Sequence, residues 1–148
     1  MTKCKYQMAK MLVGDEFHSR WNHLWPLVAA YMFLIFGLSA IPDHGRSSPG
    51  FLSWISPNLQ NLLHIPEFGV LAFLWMKIFC RRGTSLPKAG LWAILISVSY
   101  GFLDEFHQLF VPGRYASAGD FLFDTTGVLL GIAAFSLISR VSREARKG

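Results

Sequence analysis

Charge is scarce in this sequence. Asp, Glu, Lys and Arg together make up 16% of its 148 residues, against about 25% in ordinary soluble domains. That deficit argues against a water-soluble globule, and the length allows one domain with no second core. Acids are scarcer than bases, nine Asp and Glu against 14 Lys and Arg, for a net charge of +5. A basic balance can signal nucleic acid. Here the basic residues stand at the ends of apolar runs instead of sharing one face, which excludes that reading. Two cysteines, Cys4 and Cys80, exclude a disulfide framework, and neither belongs to a metal-ligand spacing.

Apolar residues fill the gap, at 52% with a mean hydropathy of +0.35. They come in four long runs. Residues 1–23 are mixed and polar and read as a tail or short surface helix, with His18 and His23 as solvated side chains. Leu24 to Ile41 has no formal charge and, at about 1.5 Å per helical residue, is just long enough to cross a bilayer. Trp21 and Trp25 flank its start as interfacial aromatics do. A signal peptide is the rival reading, with Leu38-Ser39-Ala40 as a cleavage site. The long polar stretch before it and the stop at Pro42 favour a retained span.

Residues 42–61, rich in Pro, Ser and Asn, read as a loop, with the apolar patch Phe51–Ile55 lying along the interface. The second span is expected over Leu62–Phe79, with Pro66 in its first turn. His64 and Glu67 are three residues apart and share a helical face. A glutamate one turn inside an apolar helix is costly unless it meets a partner or water. Beyond a short basic loop (Lys77, Arg81, Arg82, Lys88), the third span starts near Pro87 and runs to Asp104. The fourth covers about Phe121–Ile138, with Gly127 and Gly131 forming a GxxxG face for close helix packing. Residues 139–148 form a basic tail.

Orientation follows from counting. The N-terminal tail, the second loop and the C-terminal tail carry four Lys or Arg each, while loops 42–61 and 104–119 have one each, Arg46 and Arg114. The positive-inside rule then predicts an all-α, four-span bundle over residues 24–138, with both termini cytoplasmic. Glu67, Asp104, Glu105, Asp120 and Asp124 would all fall at its outer end.

Those acids must be held by something. On a helix continuing through residue 108, Asp104 and Glu105 share faces with Gln108, and Asp120 stacks on Asp124 one turn deeper. Pro112-Gly113 makes a turn that folds Arg114 back toward the bundle mouth. Three readings stay open. The first is a phosphate- or sugar-handling site of His64, a carboxylate acting as general acid or base, and Arg114 receiving the anion. The second is a divalent-cation site, although no ligand spacing such as HExxH is present. The third is an ion-pair latch that joins helix ends.

At these residues the chain resembles the VanZ-like family of bacterial membrane proteins. The matching segments are Ser39-Ala40-Ile41-Pro42, His64-x-x-Glu67-Phe68 and, most specifically, Asp104-Glu105-Phe106-His107-Gln108-x-Phe110-x-Pro112-Gly113-Arg114. Ser117-x-x-Asp120 and Asp124-Thr125-x-Gly127-x-x-x-Gly131 follow in order. Two positions depart from the family pattern. Asn61 stands where many members have Lys, and Asp124 where many have Asn, which removes a basic group and adds an acid. The resemblance implies a bacterial inner (cytoplasmic) membrane and a cell-envelope role connected with teicoplanin resistance, without implying a settled reaction. Arg114 beside several acids at headgroup depth points to a lipid-linked or peptidoglycan-related anionic group as what is bound or modified. The resemblance also implies His64, Glu67, Asp104, Glu105, Gln108, Arg114, Asp120 and Asp124 as site residues. A non-catalytic protein that modulates an envelope enzyme is the alternative.

Overall fold

The computed structural model describes residues 24–42, 57–114 and 117–145. Among these residues the chain is all helical: α1 (Leu24–Ser39), α2 (Pro57–Arg81), α3 (Leu86–Gln108) and α4 (Ala118–Glu144). The expectations for the tail with His18 and His23, and for the Phe51–Ile55 patch, lie outside the described residues.

Three helices contain stretches long and apolar enough to cross a membrane, Leu62–Arg81, Leu86–Gln108 and Ala118–Ser142. α1 is apolar but shorter, at 16 residues. The distribution of side chains fits lipid as solvent. Phe33 and Phe110 are 76% and 71% exposed, an arrangement water would penalise by about 25 cal/mol per Å² of apolar surface. The chain is a membrane protein with several apolar helices, its greasiest faces turned outward.

Two boundaries differ from expectation. α2 begins at Pro57, so residues 57–61 are helical instead of loop, and Pro66 lies in the helix interior. Its ring leaves the Leu62 carbonyl without the usual partner four residues on, immediately beside His64 and Glu67. α4 runs past Ile138 to Glu144, so Arg140 rides on helix instead of tail. The turns follow their glycines. After α2, Thr84 N–H bonds the Phe79 carbonyl and Gly83 N–H the Cys80 carbonyl. With Gly83 at φ 83°, this is a Schellman cap. After α3, Arg114 N–H bonds the Val111 carbonyl at 3.1 Å with Gly113 at φ 79°, a type II turn with proline and glycine in their preferred places.

α2 is the hub, packing against the other three helices. Phe68, Leu71, Ala72 and Met76 from α2 meet Ala89 and Ala93 of α3 and Val128 of α4 in a fully buried core. The GxxxG face of α4 seats on α2 within the same chain. A Cβ at Gly127 would meet the Ile65 backbone, and one at Gly131 the Gly69 backbone. α1 is tied on by aromatics: Tyr31 OH donates to the Glu67 carbonyl at 3.0 Å, and Tyr100 OH to that of Met32 at 2.6 Å. Trp25 meets Trp75 edge-on, and Phe36 stacks on His107.

Each hydroxyl bond is worth about 1 kcal/mol. Tyr31→Phe with Tyr100→Phe should therefore loosen α1 while sparing the α2–α4 core. Hydrogen exchange in detergent micelles should show faster exchange confined to α1 amides. Uniform acceleration across all helices would contradict this division.

Candidate functional site

The site gathers at one end of the bundle, where α1 and α3 finish and where α4 and the apolar stretch of α2 begin. α1 contributes Ser39 from its last turn, α2 His64, α3 Asp104, Glu105 and Gln108, and α4 Asp120 and Asp124. All seven side chains are buried, Asp124 at 0% exposure and Asp104 at 2%.

Three sets of bonds organise them. Asp104 Oδ2 accepts from Ser39 Oγ at 2.7 Å and from Gln108 Nε2 at 3.1 Å. The second bond realises the expected i, i+4 pairing on α3. Glu105 Oε2 accepts from the Ser117 backbone N–H at 2.8 Å. Ser117 also caps α4, its side chain accepting from Gly119 N–H. His64 Nδ1 pairs with Asp124 Oδ1 at 2.8 Å, joining α2 to α4.

Gly101 makes room for that last pair. A Cβ there would stand 2.9 Å from Asp124 Oδ2 and 3.2 Å from Phe68 Cε1. The carboxylate lies in a notch on α3 that any larger residue would fill. Ser39 and Gly101 are the two positions that residue-by-residue reading missed. Ser39 had a signal in its Ser-Ala-Ile-Pro motif. Gly101 had none, because one glycine in an apolar run looks like any other packing residue.

Each bonded carboxylate keeps one oxygen in reserve. Among the described residues, Asp104 Oδ1, Glu105 Oε1 and Asp124 Oδ2 are buried without hydrogen-bond partners, as is Asp120 Oδ1. Unpaired buried acceptors are uncommon and costly, and several at one bundle end is unusual packing for a mere latch. His64, Asp104 and Glu105 can each offer one ligand atom with all three within 4.8 Å of one another.

Two expected residues sit differently. Glu67 is half-buried on the face it shares with His64, within electrostatic reach of His64, Asp104, Asp124 and Arg114, and no side-chain hydrogen bond forms to it among the described residues. Arg114 turns back toward the bundle as expected but reaches α1. Its Nε donates to the Ile41 carbonyl at 3.2 Å and its Nη2 to the Leu38 carbonyl at 3.4 Å. Among the described residues it pairs with no carboxylate; it caps the C-terminus of α1, where a cation suits the helix dipole.

Together these features define a small all-α membrane protein with a buried acid–histidine cluster between its helix ends. A family model described as VanZ/LLP1 matches residues 6–139, and the chain belongs to that family. No individual curated protein and no solved structure matches it significantly.

Proposed function

We propose that the polar end of the bundle is a binding site on the outer side of a bacterial inner membrane, with both termini cytoplasmic. Its ligand is a lipid-linked or peptidoglycan-related anionic group of the cell envelope, which the protein holds or modifies. The observation that carries this reading is the set of buried oxygens left without partners on Asp104, Glu105 and Asp124. Hydrocarbon rejects such groups unless something polar meets them. Hydroxyls or amides of an envelope precursor are suitable donors. His64, Glu67, Asp104, Glu105, Gln108, Asp120 and Asp124 would face the ligand. Arg114 would meet its charge with the guanidinium edge not spent on α1.

A second reading has its own support. The bonds Ser39–Asp104, Ser117–Glu105 and His64–Asp124 tie all four helices, as a structural latch in a non-catalytic partner of an envelope enzyme would. Glu105→Gln and Asp124→Asn separate the two, since each keeps shape and a hydrogen-bond acceptor. In a host lacking the chromosomal copy, the site reading expects both variants to insert and, purified in chelator, to melt near wild type while losing the envelope phenotype, scored as teicoplanin susceptibility. If the phenotype falls only in step with melting temperature, the latch is the better account. An unchanged phenotype for both variants defeats the site.

A further inference from the structure

The cluster has an electrostatic imbalance. Asp104, Glu105, Asp120 and Asp124 are buried at one bundle end, and among the described residues His64 is the one basic side chain hydrogen-bonded to them. Arg114 is turned to backbone carbonyls at the margin. Buried carboxylates in this number need a counter-charge inside the cluster or a bound proton. The atoms without partners indicate its nature. His64 uses Nδ1 on Asp124, and Nε2 is its other possible ligand atom. Asp104 spends Oδ2 on Ser39 and Gln108, leaving Oδ1. Glu105 spends Oε2 on the Ser117 N–H, leaving Oε1. Asp104 Oδ1 and Glu105 Oε1 are both buried and unpartnered, on residues only 2% and 6% exposed.

We propose that His64, Asp104 and Glu105 bind a single divalent transition-metal ion, Zn²⁺ or Mn²⁺, with Asp124 as the residue that positions the imidazole. One ligand atom from each already lies within 4.8 Å of the other two, and an ion at about 2.0–2.2 Å from each would draw them closer. An imidazole in the set favours such metals over Mg²⁺ or Ca²⁺, which take oxygens and more of them. The His64–Asp124 bond has the form of the carboxylate–histidine–metal relay, in which the outer carboxylate fixes the ring and raises its basicity. Gln108 and Ser39 hold Asp104 in the same way. Three protein ligands leave a coordination position open, the arrangement of catalytic sites rather than structural ones. That position is where an anionic envelope group would meet positive charge, so the inference supplies the cation that the proposed site otherwise lacks. It rests on the cluster being a binding site, yet its test needs no envelope activity.

The full chain, freed of any affinity tag, would be reconstituted in nanodiscs, stripped with chelator and titrated with Zn²⁺ or Mn²⁺ alone, with Mg²⁺ for comparison. The proposal expects about one Zn²⁺ or Mn²⁺ per chain retained through desalting and a metal-dependent rise in melting temperature. Asp104→Asn and Glu105→Gln should each abolish retention, and Asp124→Asn should weaken it by about 10–100-fold. Circular dichroism would check that the variants stay helical. The wild-type stoichiometry needs no variant, so the proposal stays testable if one fails to fold. Substoichiometric Zn²⁺ and Mn²⁺ in the wild type overturns it. So does retention unaffected by both ligand variants, which would place the ion elsewhere, for example on the histidines of residues 1–23. Absence of metal with the envelope phenotype intact removes the ion and leaves the proposed function standing. A bound ion with no phenotype does the reverse.

Discussion

Gly131→Leu is expected to prevent stable assembly of the bundle. A Cβ at Gly131 runs into the backbone of Gly69, and the same holds at Gly127 against Ile65. Side chains swing aside, but a helix backbone does not, so α4 would have to lift off α2 as a unit. Overpacking usually costs roughly 1–3 kcal/mol, and this contact, backbone against backbone at the centre of the fold, belongs at or beyond the upper end. In a membrane the loss is sharper still, because lipid offers α4 as apolar a surface as α2 does and close packing does most of the holding. Thermal unfolding in detergent, followed by circular dichroism and tryptophan fluorescence, should show Gly131→Leu without a cooperative transition. Gly37→Ala is the control. Nothing lies within 4 Å of a Cβ there, and alanine in a helix gains up to about 1 kcal/mol over glycine. If both variants melt like wild type, the α2–α4 seam is not what holds the bundle.

Asp124→Leu is expected to have the second largest effect. Leucine is close in shape to aspartate, so the notch at Gly101 stays filled and the change is chiefly electrical. The His64 imidazole, 8% exposed, would lose the partner on its Nδ1. Removing one member of a buried pair costs about 3–5 kcal/mol, whereas replacing both by apolar groups is often near neutral. Hence His64→Leu combined with Asp124→Leu should be more stable than Asp124→Leu alone. A double-mutant cycle on chemical or thermal unfolding measures the coupling directly. Simple additivity of the two single substitutions would mean that the pair contributes nothing.

Much of this arrangement is legible in the sequence. The helices at Leu86–Gln108 and Ala118–Glu144 contain the expected third and fourth spans, because length and apolar content alone decide what lipid accepts. Pro112-Gly113 announced its turn, since proline presets one dihedral and glycine permits the next. The Asp104–Gln108 bond follows from spacing on a helix. The start of α2 was misread because Pro57-Asn-Leu-Gln-Asn has the composition of a loop. That stretch is helical nonetheless, and Pro66 is consequently the tenth residue of the helix instead of lying in its first turn.

Helix identity, the lipid-facing surfaces and the presence of a polar cluster near the helix ends are properties of the one-dimensional pattern, set by periodicity and by what hydrocarbon excludes. Partner choice is not. That His64 meets Asp124, that Ser39 joins Asp104, and that Arg114 caps α1 instead of bridging acids all depend on how the helices rotate against one another. The approach of Gly127 and Gly131 to α2 and the notch at Gly101 set that rotation. Only packing in three dimensions decides which of several equally spaced side chains stand face to face.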